Sequence, residues 1–173
     1  MKKWIIRDAE LLVNPNNKRE AVRGLLLTED RSQMLLLYYK KHHFYTLPGG
    51  GLEPDEDAVT AFWREVKEET GFDCDCLQEL GIIEEHRTFV STVQINHIYF
   101  AQVSSKQSAK QLDEKENLDG LELEILPVFE AYQKVFEQAT STEQQRFLSQ
   151  RDKIVLQEGL KIIGQSGLLL EER

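Results

Sequence analysis

The sequence predicts an α+β protein. Three observations lead there: two β-prone runs near the start are joined by a four-residue polar turn, one helical segment sits between a glycine run and a single glycine, and two helical segments close the chain after the last strand-like run.

In order, Ala21 to Thr28 and Gln33 to Tyr39 read as a hairpin turned at Glu29-Asp30-Arg31-Ser32. Before them, Trp4 and its apolar neighbours suit either a place in the sheet or contact with a second subunit. Phe44 to Leu47 is a short strand stopped by Pro48 and Gly49-Gly50-Gly51, where the backbone can approach a ligand without side-chain obstruction. Asp55, Glu56 and Asp57 sit where a helix N-terminus favours acids, Gly71 is placed to end that helix, and Val59, Phe62 and Val66 give it an apolar stripe. Leu77 to Arg87 and Val93 to Val103 read as strands, and Ser104 to Asp119 as a polar loop. Leu121 to Leu126 is a strand, Pro127 opens a helix to about 138, and Ser141 or Thr142 caps another to about 163 with Phe147, Ile154, Val155, Leu160 and Ile163 as packing positions. The tail from Gly164 is weakly determined.

A chain of 173 residues is long enough for one domain with a proper core, and residues 1–173 are expected to form one. At 40% apolar and 29% charged residues, neither disorder nor membrane insertion is indicated, and no run approaches the roughly 20 apolar residues of a bilayer span. Cys74 and Cys76 suit neither a zinc knuckle nor a disulfide framework, so a reducing, cytoplasmic setting is expected. A net charge of −9 argues against general binding to nucleic acid.

The informative segment is GGLEPDEDAVTAFWREVKEETGF, Gly50 to Phe72. Glu65, Glu68 and Glu69 stand at i, i+3 and i+4, on one side of one helix. Like charges so close repel, and the simplest remedy is a hard divalent ion such as Mg²⁺, which takes oxygen ligands and is typically shared with substrate phosphates. Gly50, Glu56, Arg64, Glu65, Val66, Glu68, Glu69, Gly71 and Phe72 fill every fixed position of a pattern that resembles the Nudix hydrolase box. From average composition, a chance match is on the order of 10⁻⁷ or less.

That resemblance implies a Nudix fold, an α/β/α sandwich with a mixed sheet between helices. It implies Mg²⁺, with Mn²⁺ as a substitute, held by Glu65, Glu69, Glu68 directly or through water, and the backbone carbonyl of Gly49. Glu56 and Arg64, beside Gly50, would pair and orient the metal-binding carboxylates. The implied reaction is attack of water on a phosphorus of a diphosphate linkage in a nucleotide or nucleotide derivative. Glu68 is the first candidate for the base and Glu116 the second, ahead of Glu114 and Asp119. Tyr45, His43, Lys41 and Arg87 are candidates for substrate contacts, with core packing or plain exposure as their alternative. The subfamily markers for ADP-ribose, dinucleoside polyphosphates and coenzyme A are absent, and the resemblance leaves a homodimer open. A nucleotide-sensing module without turnover is the alternative function. RNA decapping is disfavoured by the acidic balance.

Overall fold

The computed structural model describes residues 1–165, so the weakly determined tail lies almost wholly outside the described residues. Among the described residues, seven strands form one mixed sheet: β1 (Lys3–Arg7), β2 (Asn17–Leu27), β3 (Gln33–Tyr39), β4 (Phe44–Thr46), β5 (Phe72–Arg87), β6 (Thr92–Gln107) and β7 (Leu121–Pro127). The helices are α1 (Ala58–Thr70), α2 (Glu114–Leu118), α3 (Val128–Glu137) and α4 (Glu143–Gln165). The apolar N-terminal segment is resolved in favour of the sheet: β1 lies parallel to β5 at its edge.

The strand order is β1-β5-β6-β2-β3, with β7 on the far side of β3. The predicted hairpin of β2 and β3 is present, with Asp30 accepting from Thr28 and Ser32 at the turn. Yet only Leu26 and Leu27 of β2 pair with β3 (Leu35 and Met34), while β2 runs parallel to β6 over residues 17–27. Below that point β2 and β3 part. The gap is filled by β4, which pairs with β3 at 37–39, and by the segment that follows it: Gly24 N–H donates to Pro48 O, Val22 N–H to Gly50 O, and Leu52 N–H to Glu20 O. The glycine run is thus wedged into a split in the sheet.

Each face of the sheet is covered. On one, Val22, Leu26, Leu35, Tyr99, Ala101 and Val103 pack against Ala61, Phe62 and Val66 of α1. A β-carbon on Gly24 would stand 2.3 Å from the Phe62 ring, so that glycine lets α1 lie directly on β2. On the other, Leu25, Leu27, Met34, Leu36, Ile83, Ile98 and Phe100 meet Ala131 and Val135 of α3 and Phe147, Val155, Leu156 and Ile163 of α4. Ile154 and Leu160, also expected to pack, are partly buried against this second cluster.

Two readings need correction. Val59 is 37% exposed although it shares the angular position of Val66 two turns on; it stands in the first turn of α1, short of the part that covers the sheet. The stretch from Ser104 to Asp119 is not all loop: β6 continues to Gln107, and α2 forms inside it because Asp113 and Glu116 make a reciprocal capping box (Glu116 N to Asp113 Oδ1 2.7 Å, Asp113 N to Glu116 Oε2 2.8 Å). Cys74 is a free thiol whose pKa burial pushes up to about 12.

Candidate active site

The box forms as local rules require. Asp57 caps α1 by accepting from Thr60 N–H (2.9 Å), and Gly71 ends it in the left-handed conformation at φ 79°. Seven residues before the cap, Gly50 lies against Glu65: a β-carbon there would meet Oε1 at 2.2 Å. Only glycine lets that carboxylate rest on the backbone.

Arg64 is the centre of the charge arrangement. Its guanidinium grips Glu56 through both nitrogens of one edge (Nε to Oε1 and Nη2 to Oε2, 2.9 Å each) and donates to Gly51 O at 3.0 Å. It also donates to Glu65 Oε1 at 2.9 Å and to Glu68 Oε2 at 3.3 Å. The expected Glu56–Arg64 pair is therefore formed, and the same arginine separates the carboxylates along α1. Hydrogen bonding from Arg64 is the largest influence on Glu56 and holds its carboxyl below the usual range; Glu56 in turn is the largest of several that raise Arg64 above its own.

Glu69 is buried, unlike Glu65 and Glu68 beside it. It is 4% exposed, it points toward the split between β2 and β3, and it accepts from Gly49 N–H at 2.7 Å. Burial pushes its pKa well above the ordinary carboxylate value, opposed by the positive charge of Arg23. Glu65 is also raised, by burial first, against the opposing pull of Arg64. Glu116 is raised by burial, and the negative charges of Glu65 and Glu68 add to it; Gln111 N–H donates to Glu68 O, which holds the segment before α2 against α1. Its Oε2 is committed to the capping box. Of the three glutamates Glu65, Glu68 and Glu69, Glu68 is the most open, at 37% side-chain exposure, and its one ion pair among the described residues is the long contact with Arg64.

The acids fit a hard cation. The donors are all oxygen, and five glutamates, Glu56, Glu65, Glu68, Glu69 and Glu116, stand against the charges of Arg64 and Arg23. Among the described residues no three acids, histidines or cysteines already converge on one point. Arg64 occupies the middle of the set.

The other expected contacts are dispersed. Tyr45 and His43 line a cleft of about 620 Å³ with Tyr38, Lys134 and Gln138, and no residue of that cleft belongs to the box. Tyr45 packs with the α3 and α4 cluster, its ring 4.6 Å from that of Tyr38 and its hydroxyl between Lys134 and Glu124. His43 Nδ1 meets Tyr38 OH at 3.0 Å. Lys41 is paired with Asp119 at 2.9 Å, which removes Asp119 from the carboxylates of α1. Arg87 is paired with the fully buried Glu85 and lies over the ring of Phe147.

Sequence reasoning missed the residues that α4 brings to the split. Asp152, fully buried, accepts from Thr46 Oγ1 (2.7 Å) and Leu47 N–H (3.1 Å), and Arg151 bridges Asp152 and Thr46. Together they pin the chain just before the glycine run. The visible signal was two adjacent opposite charges inside a helix of otherwise ordinary period.

The family model of the NUDIX domain matches residues 17–147, three quarters of the chain. The chain belongs to the Nudix family. Solved structures carry the same fold: a hydrolase described as MutT from Burkholderia pseudomallei superposes with a TM-score of 0.54 at 17% identity, covering 77% of this chain and 96% of that one. A structure titled ADP compounds hydrolase superposes at 0.61 with 21% identity, covering 87% and 76%. Among curated proteins, the methanol dehydrogenase activator of Bacillus methanolicus is 36% identical over 80 residues, 46% of this chain and 42% of that protein. An RNA pyrophosphohydrolase of Pseudomonas putida is 33% identical over 70 residues, 40% of this chain and 43% of that protein. The match thus spans less than half the length of these curated relatives. No helix of this Nudix chain among the described residues is long and apolar enough to cross a membrane.

Proposed function

We propose that this chain, acting as one domain in the cytosol, is a metal-dependent pyrophosphohydrolase that cleaves a diphosphate linkage in a nucleotide or nucleotide derivative. The observation that carries the reading is Glu69. A carboxylate 4% exposed, hydrogen-bonded to the glycine run and neighboured by Glu65, is costly to keep charged, and the attraction of Arg23 offsets only part of that burial.

Glu65 and Glu69, with the Gly49 carbonyl and with Glu68 directly or through water, would hold Mg²⁺, for which Mn²⁺ substitutes. When bound, the ion neutralises phosphate oxygens and acidifies water. Arg64 keeps Glu56 and Glu65 in place and so fixes where the ligands stand. Glu68 is the proposed base: it is less buried and less restrained than Glu65 and Glu69, so it can take the proton of the attacking water as the P–O bond to the leaving phosphate breaks. Glu116 is the second candidate, limited by its engagement in the α2 cap. Of the residues proposed to meet the rest of the substrate, Arg87 shares the α4 side of the sheet with Arg151; Tyr45 and His43 would touch only a substrate reaching the α3 side, and Lys41 would have to leave Asp119.

The deciding experiment is a phosphate-release screen with Mg²⁺, then with EDTA. Its panel holds nucleoside triphosphates, oxidised nucleotides, ADP-ribose, nucleotide sugars, dinucleoside polyphosphates and a 5′-triphosphate RNA, the last because of the name its relatives carry. Metal-dependent cleavage of one class, reduced by orders of magnitude in Glu68→Gln and Glu69→Gln, is expected. Full activity in both variants defeats the mechanism, and nucleotide binding without cleavage makes the chain a sensor.

A further inference from the structure

Arg23 stands on β2 where that strand parts from β3. A β-carbon on Gly49 would lie 3.0 Å from its α-carbon, so it adjoins the glycine run. It interrupts an apolar strand between Val22 and Gly24, and its hydrogen bonding is poor. Nη1 donates to the Val22 carbonyl at 3.0 Å, Nε is buried with no partner, and no carboxylate comes within ion-pair distance among the described residues. The contrast with Arg64 is sharp: there Nε, Nη1 and Nη2 are all engaged.

The surrounding charge compounds the problem. Two other arginines lie on the α4 side of the sheet, but each has its own acid: Arg87 with Glu85, Arg151 with Asp152. Arg151 also has a buried Nη1 without a partner, and its charge repels that of Arg23. Burial, then Arg151, bring the pKa of Arg23 down to about 10, against the attraction of Glu69. A guanidinium in such a place with an unmet N–H is destabilising unless something anionic completes it. A nucleotide diphosphate supplies that anion, and an acidic helix needs a nearby cation to admit it.

We infer that Arg23, backed by Arg151, binds a phosphate oxygen of the substrate beside Glu69. The inference rests on the function proposed above and names the residue that recognises the polyanion. Charge-assisted N–H···O bonds to phosphate are about twice as strong as neutral ones, and arginine is the residue type best shaped to make them.

The test uses Arg23→Met, which keeps volume, and Arg23→Lys, which keeps charge, with inorganic pyrophosphate plus Mg²⁺ as the binding probe. Pyrophosphate should raise the melting temperature of the wild type and leave that of Arg23→Met unmoved. For whichever substrate the wild type cleaves, KM should rise about tenfold or more in Arg23→Met and less in Arg23→Lys. Ligand-free Arg23→Met should melt no lower than the wild type, because the substitution removes a cation with an unpartnered N–H. A lower melting temperature or failure to fold would mean a structural role and overturn the inference, as would an unchanged KM or a wild type that pyrophosphate does not stabilise. A wild type that binds pyrophosphate through Arg23 yet cleaves nothing would instead overturn only the proposed hydrolase function.

Discussion

Gly50 and Glu65 share one space: the glycine α-carbon sits so close to the carboxylate that a β-carbon would stand 2.2 Å from Oε1 and 2.4 Å from Oε2. Gly50→Ala must therefore displace Glu65 or the backbone. The expected result is a loss of turnover of about 10²-fold, as for a misplacement near 1 Å, with a stability cost of about 1–3 kcal/mol for overpacking. Kinetics and urea unfolding of the same preparation check it; unchanged turnover would show that Glu65 need not rest where it does.

Arg64 holds three carboxylates and one carbonyl at once. Arg64→Ala is expected to lower metal affinity or activity by about 10–100-fold. Arg64→Lys should rescue little, because a lysine cannot grip Glu56 through two parallel N–H bonds while reaching Glu65. Metal titration by calorimetry separates this from simple unfolding, which would remove the folding transition altogether.

The Glu56 carboxyl is held below its usual range by Arg64, so the folded protein releases its proton more readily than the unfolded chain. The sign follows: the pair contributes stability above the unfolded-chain pKa, and that contribution is lost as pH falls through the lower, folded value. Glu56→Gln should therefore flatten the acid side of the stability profile below about pH 4.5 while changing its slope little near neutrality. A set of melting curves from pH 3 to 7 reads this directly.

Asp152 is the tie between α4 and the strand that delivers the glycine run. Asp152→Ala strands the buried Arg151 and frees Thr46 and Leu47, which should cost about 3–5 kcal/mol. Asp152→Asn can keep one of those bonds and should cost less. Denaturant midpoints rank the two against the wild type, and an unchanged midpoint in Asp152→Ala would mean that the tie contributes nothing.

Much of this Nudix domain is written in short stretches of sequence. The cap at Asp57, the stop at Gly71, the Glu56–Arg64 pair and the hairpin turn at Asp30 depend on residues within about two helical turns of one another, so their chemistry can be read along the chain. The N-terminal strand and α2 were harder. β1 pairs with β5, some 80 residues away, and a five-residue helix in a charged stretch leaves almost no periodic signal.

The sequence by itself determined the family, the carboxylate helix and the arginine that organises it, because all three reside in one contiguous segment whose spacing sets its geometry. The tertiary structure alone decided which acid is buried and what surrounds it. The parting of β2 from β3 makes room for the glycine run, Glu69 turns into that gap, and Arg23, Arg151 and Asp152 are brought to it from a strand and a helix far apart in the chain. Burial and charge compensation are properties of the assembled layers, and no local pattern of residues carries them.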